Sequence, residues 1–153
     1  MERLARLVAS GFGVGYVPAP APGTVGAAAA TLVGGGLMLA GPLALPLAAC
    51  VACLIGLWAI RAAVPANADP AWVVIDEVAG QWIALLGLAR PSAFGLLLAL
   101  AVFRLLDVVK PGPIGWADRQ GGAVGVMADD LIAGAFTAGI VWAVRTRWPA
   151  YFP

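Results

Sequence analysis

The sequence predicts an all-α fold: a polytopic membrane helical bundle of about five membrane-embedded helices, preceded by a short N-terminal interfacial helix. Three observations predict it. The 153 residues are 62% hydrophobic and only 11% charged, where a soluble domain carries about 25% charged residues. The apolar residues fall into five stretches, each near the ~17–20 residues that cross a bilayer. Those stretches are rich in Ala, Leu and Gly and lack the alternation of a half-buried strand. One domain over residues 1–153 holds them all.

Taken in order, Glu2, Arg3 and Arg6 interleave with Leu4, Leu7 and Val8, the pattern of an amphipathic helix at the membrane interface. The glycine-broken run after it makes a poor signal peptide, so no cleavage is expected. The apolar stretches follow at Val25–Ala40, Leu43–Ile60, Val73–Ala89, Ser92–Val109 and Met127–Val144. Gly41-Pro42 and Arg90-Pro91 read as tight turns, whereas 61–72 and 110–126 are longer and more polar. Gly34, Gly35, Gly36, Gly80, Gly134 and Gly139 suit close helix packing in lipid.

Composition also excludes chemistry. With no histidine, Ser-His-Asp and Cys-His catalysis and His-ligated zinc are ruled out. Cys50 and Cys53 form one C-x-x-C in an apolar segment without a second pair, which reads as helix packing. A net charge of +1 argues against a nucleic-acid partner.

Helix parity gathers the acids. If the chain before Val25 lies on one side, then Asp69, Asp76, Glu77, Asp107, Asp118, Asp129 and Asp130 all return to it. Six basic residues share that side and three lie opposite, so the positive-inside bias makes it cytoplasmic. Asp76-Glu77 and Asp129-Asp130 are expected in the first turns of their helices, where acids complement the helix dipole. That explanation accounts for one residue per helix but not for adjacent pairs. It also fails at Asp107, at a helix C-terminal end. Ionisable groups at membrane depth mark function by default.

Oxygen donors without His or Cys select Mg²⁺, Ca²⁺ or Mn²⁺. The seven acids against Arg104, Lys110 and Arg119 leave a net −4, which repels phosphate until divalent cations invert the local field. Arg104 and Lys110, three residues either side of Asp107, are placed to clamp phosphoryl oxygens, or to pair with Asp107 when no substrate is present. Thr24 is a candidate N-cap for the first long helix, and Gly23 lets backbone approach an anion there. The run from Lys110 through Pro111, Gly112 and Pro113 to Gly121–Gly125 reads as a substrate-covering loop.

The motifs Ala21-Pro22-Gly23-Thr24-Val25-Gly26, Asp76-Glu77-Val78-Ala79-Gly80, Phe103 to Ile114 and Gly121 to Gly134 together resemble the phosphatidylglycerophosphatase A family. Leu106 and Gly112 stand where that family often has Phe and Trp. The resemblance implies a Mg²⁺-dependent lipid phosphatase of phospholipid biosynthesis, multi-pass in the bacterial inner membrane with its site facing the cytoplasm. The expected substrate is phosphatidylglycerophosphate and the product phosphatidylglycerol.

On this expectation Asp76, Glu77, Asp107, Asp129 and Asp130 are the catalytic and metal-binding set. Arg104, Lys110, Thr24 and Gly23 bind substrate. Water activated by one carboxylate, or a carboxylate forming an aspartyl-phosphate, attacks phosphorus; the sequence leaves both open, as it does the oligomeric state. Rival readings are another metal-dependent phospholipid headgroup enzyme, such as a CDP-alcohol phosphotransferase, and a carboxylate-based cation transporter or channel. The first lacks its motif here. The second calls for midplane charge or inverted repeats, and neither is present.

Overall fold

The computed structural model describes residues 1–18, 21–66 and 68–152. Among them are seven α-helices, two 3₁₀ turns and no strand. The helices are α1 (Glu2–Ala9), α2 (Pro22–Ala40), α3 (Ala44–Ala63), α4 (Ile75–Leu85), α5 (Ala93–Val109), α6 (Pro113–Asp118) and α7 (Gly122–Arg147).

All six expected helices form, and α6 is an addition. Pro113 at its first turn and Gly112 at φ 53° start it, so the Pro-Gly-Pro run opens a helix inside the expected loop. The glycine stretch after it is also helical. Helix α7 begins at Gly122 rather than Met127, because Gly121 and Gly122 at positive φ make the turn. Gly125 then lies against α6, where a β-carbon would stand 3.1 Å from the Ala117 carbonyl oxygen.

Helix lengths change the count of spans. Three helices, α2, α3 and α7, are long and apolar enough to cross a membrane. Helix α5 has 17 residues. Helix α4 has 11, a rise of about 16 Å against a hydrocarbon core of about 30 Å. Leu32, Leu39, Leu54, Leu97 and Trp142 project outward, as side chains facing lipid do.

Helix α4 is the central element. Its Gly80 meets the α7 backbone at Asp130, and Gly134 of α7 meets the backbone of Gly80. Trp82 Nε1 donates to the Ala30 carbonyl of α2 at 2.9 Å. Gly34 and Gly35 also touch neighbours, but Gly36 and Gly139 have nothing within 4 Å, so these two pack against no other helix of the described chain. Helix α1 buries Ala5, Val8 and Ala9, and Val8 and Ala9 share a core with Ala52, Ala59 and Ile60 of α3. It exposes Leu4 and Leu7.

The segment between α3 and α4 is pinned from outside. Tyr16 stacks on Trp72 at 5.6 Å, Arg6 sits over the same ring, and Val74 N–H donates to the Ala9 carbonyl at 3.0 Å. These contacts fix the approach to Asp76.

Candidate active site

The start of α2, the start of α4, the end of α5 and the second and third turns of α7 enclose one cavity of about 360 Å³. Its walls carry Asp69, Asp76, Glu77, Arg104, Asp107, Lys110, Asp129 and Asp130, with Ala21, Pro22 and Gly23 at one edge. Residues spread over more than a hundred positions thus converge at one end of the bundle. Asp76, Asp107, Asp129 and Asp130 are all buried.

Asp129 and Asp130 are not in a first turn. They are the eighth and ninth residues of α7, beyond the free N–H groups that a capping acid would satisfy. At α4, Asp76 and Glu77 do lie in the first turn, yet the helix has no side-chain cap. Asp76 instead accepts from the Glu77 N–H at 3.1 Å.

The two cations divide the carboxylates between them. Arg104 pairs with Asp107, three residues on, and reaches Glu77 of α4 at 3.7 Å. Lys110 does not flank Asp107. It ends α5 in the left-handed region, φ 49°, and its Nζ turns to Asp129 at 2.5 Å and to Asp118 of α6. Burial works against its charged form, but the Asp118 and Asp129 carboxylates outweigh this and hold the ammonium above its ordinary pKa.

Two carboxylate triads result. Asp76, Glu77 and Asp130 can place one oxygen each within 4.8 Å of one another, and so can Asp107, Asp129 and Asp130. Asp130 Oδ1, Glu77 Oε2 and Arg104 Nε are buried without hydrogen-bond partners. A buried carboxylate oxygen without a partner is costly. A hard divalent cation bound by carboxylates removes that cost, and the donor set fits Mg²⁺ or Mn²⁺.

Close backbone approach shapes the rim. A β-carbon at Gly23 would collide with Glu77 Oε1 and stand 3.2 Å from Arg104 Nη1. Thr24 is not an N-cap. Helix α2 starts a turn earlier, with Ala21 at the cap and Pro22 in its first turn, because proline presets the helical φ. Thr24 is exposed and does not line the cavity. Pro20, which precedes this motif in the sequence, lies outside the described residues.

One cavity residue, Asp69, and one buried polar residue beyond the cavity lining, Gln81, were not selected from the sequence. Asp69 lines the cavity from a linker, where only its place among the gathered acids hinted at a role. Gln81 is wholly buried with both amide atoms unpartnered, one helical turn after Glu77. A polar residue in an apolar α4 was its signal.

Fold and site together define a helical, membrane-type protein with a carboxylate-lined cavity at the bundle's end. The chain belongs to the phosphatidylglycerophosphatase A family, whose model matches residues 7–145. It is 39% identical over 82 residues to Phosphatidylglycerophosphatase A of Escherichia coli, an alignment covering 53% of this chain and 48% of that relative. The match to Phosphatidylglycerophosphatase A of Haemophilus influenzae is 32% over 91% of this chain and 87% of the relative. A Bacteroides thetaiotaomicron protein named "Putative phosphatidylinositol-3-phosphatase" is 33% identical over 93% of this chain and 92% of its own. No solved structure matches.

Proposed function

We propose that this protein hydrolyses the terminal phosphate monoester of phosphatidylglycerophosphate, releasing phosphatidylglycerol and inorganic phosphate, with Mg²⁺ as cofactor. The observation that carries the reading is the convergence of two carboxylate triads with Arg104 and Lys110 in one cavity. Family membership supplies the substrate class.

Asp76, Glu77, Asp107, Asp129 and Asp130 would hold the cation. Bound there, it supplies charge neutralisation and Lewis-acid polarisation of a phosphoryl oxygen. Arg104 lines the cavity, so its guanidinium is placed to meet a phosphoryl oxygen while it holds Glu77 and Asp107. Lys110 offers a second positive charge in the same cavity. A carboxylate accepts the proton of the attacking water, or itself attacks phosphorus. Trapping a radiolabelled phosphoenzyme distinguishes the two.

The protein sits in the bacterial inner membrane as a multi-pass protein, with the cavity facing the cytoplasm. Support comes from the three long apolar helices and from the six basic residues that helix parity assigns to the acid-bearing side against three opposite. The cavity lies at helix ends rather than at a midplane break, which favours an enzyme over a cation channel.

The test is phosphate release from phosphatidylglycerophosphate by protein in micelles, before and after EDTA and with Mg²⁺ restored. Release that stops with EDTA and returns with Mg²⁺ is the expected result; release indifferent to EDTA removes the metal from the reading. A parallel assay on phosphatidylinositol 3-phosphate addresses the second lipid, which the name of the Bacteroides relative raises. Faster turnover of that lipid would reassign the substrate while keeping the chemistry.

A further inference from the structure

Resting on the reading just given, we propose that the cavity takes two divalent cations side by side, with Asp130 as the ligand common to both. The two carboxylate triads have a single member in common, and it is Asp130. Two basic residues already hold other members of the triads. Arg104 serves Glu77 and Asp107, and Lys110 serves Asp129. Asp130, the shared member, makes no ion pair among the described residues. It is 3% exposed, and its Oδ1 is buried with no hydrogen-bond partner. An unpaired carboxylate oxygen so placed is the position of a bridging ligand.

Charge leads to the same count. Six carboxylates and two basic side chains line the cavity, leaving four negative charges. One dication leaves two, which repel a dianionic phosphate monoester. A second brings the site to neutrality before substrate enters. Paired cations in phosphate-handling sites sit about 3.5–4 Å apart, and at that separation a shared anion between them screens their repulsion. Oxygen-only donors select Mg²⁺ or Mn²⁺ for both positions.

Mn²⁺ titration of the full-length, metal-stripped protein in nanodiscs tests this without substrate, by counting bound ions and recording their electron paramagnetic resonance. The wild type should bind two Mn²⁺ per chain with a spin-coupled spectrum. Asp76→Asn and Asp107→Asn should each retain one ion and give an uncoupled spectrum. Asp130→Asn should lose the coupling and weaken both sites by more than about tenfold, with circular dichroism showing retained helix. A wild type that binds one ion with an isolated-ion spectrum overturns the two-cation site, while Mg²⁺-dependent phosphate release would leave the proposed function standing. No Mn²⁺ bound, together with release that survives EDTA, overturns both.

Discussion

Gly80 of α4 rests on the backbone of Asp130 in α7: a β-carbon added at Gly80 would stand 2.6 Å from the Asp130 carbonyl oxygen and 2.8 Å from Phe103 Cε2. The contact lets the two helices approach until Asp76 and Glu77 meet Asp130. Backbone cannot move aside as a side-chain tip can, so Gly80→Ala must push α4 from α7. Overpacking of this kind costs about 1–3 kcal/mol. Displacing Asp76 and Glu77, two of the five carboxylates assigned to the cation, by up to 1 Å costs roughly 100-fold in turnover. Thermal unfolding and phosphate release, measured on the same preparation, should both fall.

Gly23→Ala should separate the site from the fold. Its β-carbon would run onto Glu77 Oε1 and Arg104 Nη1, which are ends of side chains. They can swing away, so helix packing survives while the Glu77–Arg104 pairing is displaced. Activity is expected to drop about tenfold or more, with the melting temperature nearly unchanged. An equal loss of both would show that Gly23 serves packing instead.

Gly36→Ala and Gly139→Ala are the matching controls. Both lie within helices with nothing within 4 Å of an added β-carbon. Alanine there should leave activity intact and add up to about 1 kcal/mol of stability through helix propensity. A loss at Gly139 would reveal a contact, such as a second copy of the chain, that the monomer does not contain.

These glycines also mark how far the sequence could be read. Apolar stretches placed five of the seven α-helices and the amphipathic start placed α1, because hydrophobic patterning is local. Parity then brought Asp76, Glu77, Asp107, Asp129 and Asp130 together, since it needs only the number of crossings. The five do line one cavity, although α4 with 11 residues is too short to be one of the crossings that parity counted. What stayed hidden depends on backbone conformation that composition does not report. Gly121 and Gly122 read as loop but start α7, which moved Asp129 and Asp130 deep into a helix. Thr24 looked like a cap until Pro22 claimed the first turn. The partners of Lys110 followed from its left-handed backbone, and no spacing rule foretells that.

Asp107→Asn and Asp129→Asn should each lower phosphate release by at least about 100-fold, the cost of removing one electrostatic contact at a reacting phosphate. The protein should still insert, because asparagine keeps the volume and half of the acceptors. Asp118→Asn is the comparison. Asp118 touches Lys110 from α6 but does not line the cavity, so its loss should cost less than either. If Asp118→Asn proved the most damaging of the three, the catalytic centre would lie outside the cavity.

Lys110 carries two roles that substitution can separate. Its left-handed backbone, φ 49°, turns the chain from α5 into α6, and its ammonium ties Asp129 to Asp118. Lys110→Gly and Lys110→Ala both delete the charge, so both should lose activity to a similar, large extent. They differ in the turn. Glycine enters the left-handed region freely, whereas alanine retains the roughly 1–2 kcal/mol penalty that lysine also bears there. Chemical denaturation in micelles should therefore rank Lys110→Gly above Lys110→Ala by about 1 kcal/mol. If the glycine variant also recovered substantial activity, the turn rather than the ammonium would be what the site needs from Lys110.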